Sequence, residues 1–259
     1  MHFLFFAALL FISDVQIDAL SAYPDSIASI ISGQIGNKVI YDCGDLVEHG
    51  CPLEEQEYQR YKVLFPNTIP VPGNHDWYTD LNYWVWSDGV DTYDSGIHIV
   101  GFDSEYYRNE DALNNLSLQL DDGAQLTILY LHHQIYSDNE RNGALAVTMR
   151  EYLLPIIEET NVDLVISGHG HAYERHYDGK RTYLVIGGGG AHLDNVGISE
   201  TQVISASVHH WLEIIPNLDG FDCIVHGIDN TTIDSFSIVS QIQNPIEVKS
   251  FSDIKALFR

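Results

Sequence analysis

The chain reads as an α/β protein in which strands alternate with helices and then give way to strands alone. Three observations predict this class. Short unbroken apolar runs at residues 3–12, 38–41, 97–102, 126–131, 162–167 and 181–186 have the look of strands buried on both faces of a parallel sheet. Residues 18–33, 53–64 and 147–159 carry apolar residues at helical spacing between those runs. Beyond residue 200, the segments 202–207, 210–215, 222–226 and 235–239 are separated by turn residues, as in hairpins. Alternation followed by strands implies an α/β sandwich that closes in an antiparallel extension, about 200–240.

Taken in order, the strands deliver polar groups at their C-terminal ends. Residues 3–12 stop at Ser13-Asp14-Val15-Gln16. This apolar start resembles a secretion signal, but it has no basic beginning and no small-residue cleavage site, and it is too short to span a bilayer. It is therefore read as a buried first strand. Residues 38–41 stop at Asp42-Cys43-Gly44-Asp45, and a short strand at 69–71 runs into Pro72-Gly73-Asn74-His75-Asp76. The stretch 77–94, with Trp77, Tyr78, Tyr83, Trp84 and Trp86, is aromatic and turn-rich. It is expected to be a lid or insertion that walls a pocket or packs on the core. The strand at 97–102 ends at Asp103, that at 126–131 at His132-His133, and that at 162–167 at Gly168-His169-Gly170-His171. Residues 181–186 precede four glycines, Gly187 to Gly190.

A length of 259 residues suits one domain, 1–259, with a sizeable core. The 37 acidic against 12 basic residues give a formal net charge of -25, which repels phosphate backbones and argues against nucleic acid as a partner. No further stretch is a candidate for stable membrane insertion, and a soluble protein is expected, with the cytoplasm slightly favoured over secretion. Of three cysteines, Cys43 and Cys51 could pair across a short loop, and free buried thiols are the other reading.

The strand ends carry the chemistry. Glycines on either side of His169 free the backbone to turn, so His169 and His171 can face one centre despite their odd spacing. Imidazole is a common ligand for zinc-type and iron-type ions. Each other group has a plainer reading: Asp14 and Asp45 as helix caps, Asn74 as a turn residue, His132 as a satisfied core histidine. The ordered set Asp14, Asp45, Asn74 with His75, His132 with His133, and His169 with His171 is what selects the metal reading. Ligands of open α/β sheets bind at the carboxyl ends of strands, where these loops converge. Carboxylates, an amide oxygen and imidazoles together suit Mn, Fe or Zn. One aspartate can bridge two ions about 3.5–4 Å apart.

Ser13-Asp14, Gly44-Asp45, Gly73-Asn74-His75-Asp76, Leu131-His132-His133 and Gly168-His169-Gly170-His171 resemble the ordered motifs of the calcineurin-like metallophosphoesterases. Ala172-Tyr173-Glu174-Arg175, the glycines 187–190 with Ala191, and His209-His210-Trp211 are similar to the purple acid phosphatase branch. The likeness runs from Phe11 to about Phe236. It implies a four-layer α/β/β/α sandwich with two divalent or mixed-valence metal ions at one edge. By position, Asp14 and His171 would hold the first ion, Asp45 would bridge, and Asn74, His132 and His169 would hold the second. His132 is preferred to His133 because it stands two positions before the family's usual proline, here Gln134. His75 matches a non-ligand histidine that contacts substrate and protonates the leaving oxygen.

Two departures matter. The family's Asp-x-His reads Asp14-Val15-Gln16, and the tyrosine that purple phosphatases place three residues after the bridging aspartate is Glu48. Gln16 or Glu48 is expected to complete the first ion's shell, shifting preference from ferric iron towards Mn or another divalent ion. The histidines that some purple phosphatases carry soon after the fourth motif are missing from residues 136–142. The resemblance implies hydrolysis of a small phosphate monoester by a hydroxide activated between metals, with no serine or cysteine nucleophile. A phosphodiesterase of small diesters and a non-catalytic metal-binding module are the alternatives. His192, His209 or His210 could line the pocket, and Arg175 could hold either a phosphate or an acidic neighbour.

Overall fold

The computed structural model describes residues 8–17, 39–49, 56, 59, 61–63, 67–77, 90–94, 96–121, 123–124, 126–217 and 219–239. Two sheets carry the fold. The first has six strands: β1 (Leu9–Ile12), β2 (Ile40–Asp42), β3 (Thr68–Pro70), and, from the far end of the chain, β11 (His210–Pro216), β12 (Gly220–Gly227) and β13 (Thr232–Val239). Their order is β13-β12-β11-β1-β2-β3. The second has seven: β4 (Val90–Asp94), β5 (Ile97–Phe102), β6 (Thr127–Leu131), β7 (Leu164–Ser167), β8 (Tyr173–Tyr177), β9 (Thr182–Ile186) and β10 (Gln202–Ala206), ordered β10-β8-β9-β7-β6-β5-β4. The α-helices whose bounds lie among the described residues are α1 (Asn74–Trp77), α2 (Glu110–Leu120) and α3 (Gly143–Glu159).

The two-residue period of a strand separates two environments. On β1, Leu9 and Phe11 point into the core between the sheets, while Leu10 and Ile12 pack outward with Ile40, Trp211 and Tyr61. Tyr61 belongs to the predicted helix 53–64, whose described residues 56, 59 and 61–63 are helical. On β6, Ile128 and Tyr130 face the first sheet, and Leu129 and Leu131 pack against Leu116, Met149, Leu153 and Ile157 of α2 and α3. Helix, sheet, sheet and helix stack in four layers, as the motifs implied. The inter-sheet core centres on three rings: Phe11 stacks on Tyr41 at 5.0 Å, and Tyr130 meets both edge-on at 6.0 and 5.6 Å.

Both sheets mix directions. β1, β2 and β3 run parallel, as do β5, β6, β7 and β9, whereas β11, β12 and β13 pair antiparallel with β1 and one another. The late strands are therefore not an appendage. β11 lies directly against β1, with Leu9 opposite Ile214, so the end of the chain closes the sheet its beginning opens.

Three elements depart from the pattern reading. Part of the expected insertion 77–94 is strand β4, which forms a hairpin with β5 through Gly96 at φ +86°. α2 is polar by sequence, but Asn109 caps it by accepting from the Ala112 amide at 3.0 Å, and Leu116 and Leu120 supply a buried stripe. β8 carries Glu174, Arg175 and His176, residues that argue against an interior strand, yet each meets another element: Glu174 accepts from Ser137 and the Asp138 amide, Arg175 binds Asp234, and His176 lies against Thr201. The predicted helix 18–33, residues 1–7, Cys51, and Tyr78, Tyr83, Trp84 and Trp86 lie outside the described residues. Cys43 and Cys223 are free and buried. Among the described residues no helix is long and apolar enough to cross a membrane.

Phe11 is wholly buried and touches both ring partners. Phe11→Ala is expected to cost about 3–5 kcal/mol, read as a lowered urea midpoint with an unchanged slope.

Candidate metal centre

The parallel strands β1, β2 and β3 of one sheet and β6 and β7 of the other present their C-terminal loops to a common edge. Backbone bonds lace these loops together. Asp14 N donates to Gly44 O, Gln16 N to Asp45 O and Gly168 N to His132 O, each at 2.9 Å. The turns are tight enough to force Asp14 (φ +55°), Gln16 (φ +42°), Asp45 (φ +55°) and His169 (φ +64°) into the left-handed region. Non-glycine residues rarely occupy it, and such strain concentrates at functional sites. Gly168 allows the closest approach: a Cβ there would collide with Ser13 Oγ and the Asp14 carboxylate. Gly73 does the same beside Asp45.

The side chains converge. Asp14 Oδ2 accepts from Ser13 Oγ at 2.6 Å and from the His169 amide at 2.8 Å. Its Oδ1 stands 3.4 Å from His171 Nε2, is buried, and accepts no hydrogen bond. Asp45 Oδ1 accepts from the His75 amide at 2.8 Å, while Oδ2 lies 3.3 Å from His132 Nε2 and 3.5 Å from the Gln16 amide nitrogen. His132 Nε2 is in turn 3.1 Å from Asn74 Oδ1 and 3.2 Å from His169 Nδ1. His171 Nε2 lies 3.3 Å from the Gln16 amide.

The far nitrogens of two rings are anchored. His132 Nδ1 lies 2.9 Å from Cys43 O, and His171 Nδ1 lies 2.8 Å from His192 O. Carbonyls only accept, so each Nδ1 carries hydrogen and each Nε2 is left facing the centre, the arrangement that orients metal-binding imidazoles. Asp14, Asp45, Asn74, His132, His169 and His171 thus point donor atoms at one small volume, and Gln16 turns its amide nitrogen towards Asp45 and His171. The orphaned Asp14 Oδ1 is the feature a cation would satisfy, because a buried acceptor without a partner is costly. Two carboxylates, one amide oxygen and three imidazoles form a donor set that suits Mn, Fe or Zn.

Without ions, protons hold the charges together. Burial works against a charged His132, but the Asp45 carboxylate it faces, Asp14 behind it and the Cys43 carbonyl push its pKa up to about 10. Burial likewise opposes the proton on His171, and the neighbouring Asp14 carboxylate with the His192 carbonyl raises its pKa to about 9. His169, desolvated and beside the charged His132, drops to about 4. Asp45 is held below the usual carboxylate range: its burial acts upward, but His132 and His75 outweigh it.

The remaining expected residues fall outside this knot. His75 Nδ1 lies 2.7 Å from Glu48 O, and its Nε2 stands 3.9 Å from Asp45 Oδ2 at the rim. Glu48 turns its carboxylate towards His75 Nδ1 (3.9 Å) and His49 (3.7 Å), so of the two expected shell-completing residues it is Gln16 that meets the other donors. His133 offers a ring nitrogen within 4.8 Å of those of His132 and His169, but its Nδ1 is 3.0 Å from Ser104 Oγ and its Nε2 is 3.6 Å from Glu105. Arg175 takes the acidic neighbour, binding Asp234 at 2.7 Å and lying over the Phe236 ring. His210 is a core residue with its Nδ1 on Val208 O, and His209 bonds Gly188 O. His192 is exposed and contributes its carbonyl.

Two positioning residues have no role in the sequence reading. Asp76, buried, accepts from the amides of Asp45 and Gly73 at 2.8 Å and of Leu46 at 3.2 Å. Burial and the nearby Asp45 raise its pKa to about 7. Asp194 accepts from the His171 amide at 3.2 Å, from Asn139 at 2.8 Å and from Arg141 at 3.1 Å. Asp76 could have been found from its place in Gly73-Asn74-His75-Asp76. Asp194 stands in no motif.

The family model for calcineurin-like phosphoesterases matches residues 7–173. No curated protein matches the sequence. Among solved structures, the chain is similar to GAP50, described as the anchor in the inner membrane complex of Plasmodium, with 16% identity, TM-score 0.70, and 90% of this chain and 89% of that one covered. It is also similar to a dimetal phosphatase from Danio rerio, with 12% identity, TM-score 0.62, and 90% and 98% covered. A third is PhoD, with 10% identity, TM-score 0.58, and 92% and 72% covered. At these identities the likeness is one of fold.

Two outcomes are expected. Ion binding displaces protons from His132 and His171, so affinity rises with pH up to the range of their pKa values, about 9 to 10. Calorimetry at pH 7 in buffers of different ionisation enthalpy should register roughly two protons released; release of none would contradict the geometry. Asp76→Ala frees the Asp45 loop and should weaken metal binding about 10- to 100-fold while the chain stays folded by circular dichroism.

Proposed function

The chain belongs to the calcineurin-like phosphoesterase family, whose reaction is metal-dependent hydrolysis of phosphoric esters, and from that premise we propose that it is a phosphomonoesterase built on two metal ions. The observation that carries the proposal is the orphaned, buried Asp14 Oδ1, which stands 3.4 Å from His171 Nε2 in a cluster that also gathers Asp45, Asn74, His132 and His169. Asp14 and His171 would hold one ion, with Gln16 turning its amide oxygen in to complete that shell; Asn74, His132 and His169 would hold the other, and Asp45 would serve both. Ions held there would lower the pKa of coordinated water and neutralise phosphoryl oxygens.

The protein's own groups do the rest. With Nδ1–H committed to the Glu48 carbonyl, His75 keeps Nε2 for a mobile proton at the rim, where it meets the oxygen of the departing alcohol. Asp45 fixes His75 through its backbone amide, so ligand and proton donor share one loop-to-loop clamp. Among the described residues a thiolate nucleophile has no candidate, because burial raises the pKa of both Cys43 and Cys223. The substrate class is a small phosphate ester. With 37 acidic residues against 12 basic, the chain lacks the means for a basic groove along a nucleic acid.

The test is hydrolysis of paired chromogenic mono- and diesters by protein stripped of metal and refilled with Mn, Zn, Fe or Mg, with Asp45→Asn as control. Monoester turnover that requires metal and falls at least about 100-fold in the variant is the expected result. Turnover of diesters alone would replace the reading with a small-diester phosphodiesterase. Metal binding without turnover would replace it with a binding module.

A further inference from the structure

We propose that Asp138, Glu174 and His176 form a further divalent-cation site, separate from the strand-end centre and open to a cavity of about 380 Å³. Glu174 and His176 stand two apart on β8 and so share a face. Both are buried, and Asp138 reaches them from the loop that follows β6. One ligand atom from each lies within 4.8 Å of the others.

The charges there do not balance. Glu174 Oε1 accepts from Ser137 Oγ at 2.6 Å, and Oε2 accepts from the Asp138 amide at 2.7 Å and lies 3.1 Å from His176 Nε2. Asp138 Oδ2 is shut off from solvent and accepts no hydrogen bond. Two carboxylates face one imidazole, so even a protonated histidine leaves a net negative charge in a largely buried place. Arg150 lines the same cavity, but its guanidinium donates to Ile135 O at 3.2 Å and lies over the Tyr136 ring at 4.8 Å. No ion pair joins Arg150 to Asp138 or Glu174 among the described residues.

The histidine is oriented as a ligand would be. Its ring is held at both nitrogens, Nδ1 at 3.1 Å from Thr201 Oγ1 and Nε2 at 3.1 Å from Glu174 Oε2; with Nδ1–H donating to the hydroxyl, Nε2 is the nitrogen a cation would take. A cation taken up by Nε2 and Glu174 would also give the unpartnered Asp138 Oδ2 its missing partner. Two carboxylates and one imidazole suit Zn²⁺ or Mn²⁺. The cavity beyond Asp138 and His176, walled by Tyr136, Ser137 and Thr201, leaves room for water to complete the shell. The ion would tie the 137–139 loop to β8. Asn139 in that loop holds Asp194, which holds the His171 amide, so the site braces the loop carrying His171.

The proposal does not depend on the strand-end reading, and one experiment separates the two. The full chain and an Asp45→Asn/His169→Gln variant are stripped of metal, given Zn²⁺, desalted and assayed for retained ion and unfolding temperature. The double variant should keep one ion and unfold several degrees higher with Zn²⁺ than without; adding Asp138→Asn should abolish both effects. A double variant that is folded by circular dichroism and retains no ion overturns the proposal. Should Asp138→Asn fail to fold, an anomalous zinc map of the unmodified chain decides. A peak between Glu174 and His176 supports the site, and peaks confined to Asp14 and Asp45 overturn it. A peak at Glu174 with none beside Asp14 would sink the dinuclear reading and leave this one standing.

Discussion

The burial of Asp14 and Asp45 at the ends of two adjacent strands governs the arrangement of the site. Removing two carboxylates from water is tolerable only if cations or strong donors meet them. The structure supplies donors to one oxygen of each: Ser13 Oγ and the His169 amide for Asp14, the His75 amide for Asp45. The opposing oxygens face His171 and His132. The strained left-handed turns stand at these same positions, Asp14, Gln16, Asp45 and His169. Backbone bonds between loops hold the strain in place, and each loop is pinned by another rather than by itself.

The same constraint accounts for an acidic protein in a family that acts on anions. A chain with net charge -25 has little general attraction for a phosphate ester. Attraction has to be local, and a cluster of ligands that gathers divalent charge at one edge is a means of providing it. On the proposed reading, the long-range field discourages polyanions while the loaded centre takes a small anion. Selectivity of this kind needs no basic groove.

The buried polar groups around β8 show how the centre is supported from behind. Tyr173 and Arg175 on one face bind Asp234 of β13, and Glu174 and His176 on the other meet the 137–139 loop. β8 joins the last strand to the loop that steers Asp194 and hence His171. A strand so polar survives inside a sheet because its side chains are paired across elements that are far apart in sequence.

The sequence by itself determined the class, the strand ends and the ligand types. Alternating apolar runs that stop at Asp14, Asp45, Asn74, His132 and His169 report burial and direction together, and both are local properties of the chain. It did not reveal β4, α2 or β8. A polar helix and a charged strand become stable only through partners such as Leu153 against Leu116 or Asp234 against Arg175, and those partners have no local signature. The choices among near neighbours were also left to tertiary structure. His132 turns to the centre and His133 to Ser104 and Glu105, Gln16 faces His171, and Glu48 faces His75. A ring's direction is fixed by which carbonyl or hydroxyl holds its far nitrogen. Cys43 for His132 and Ser104 for His133 are brought there only when the two sheets close.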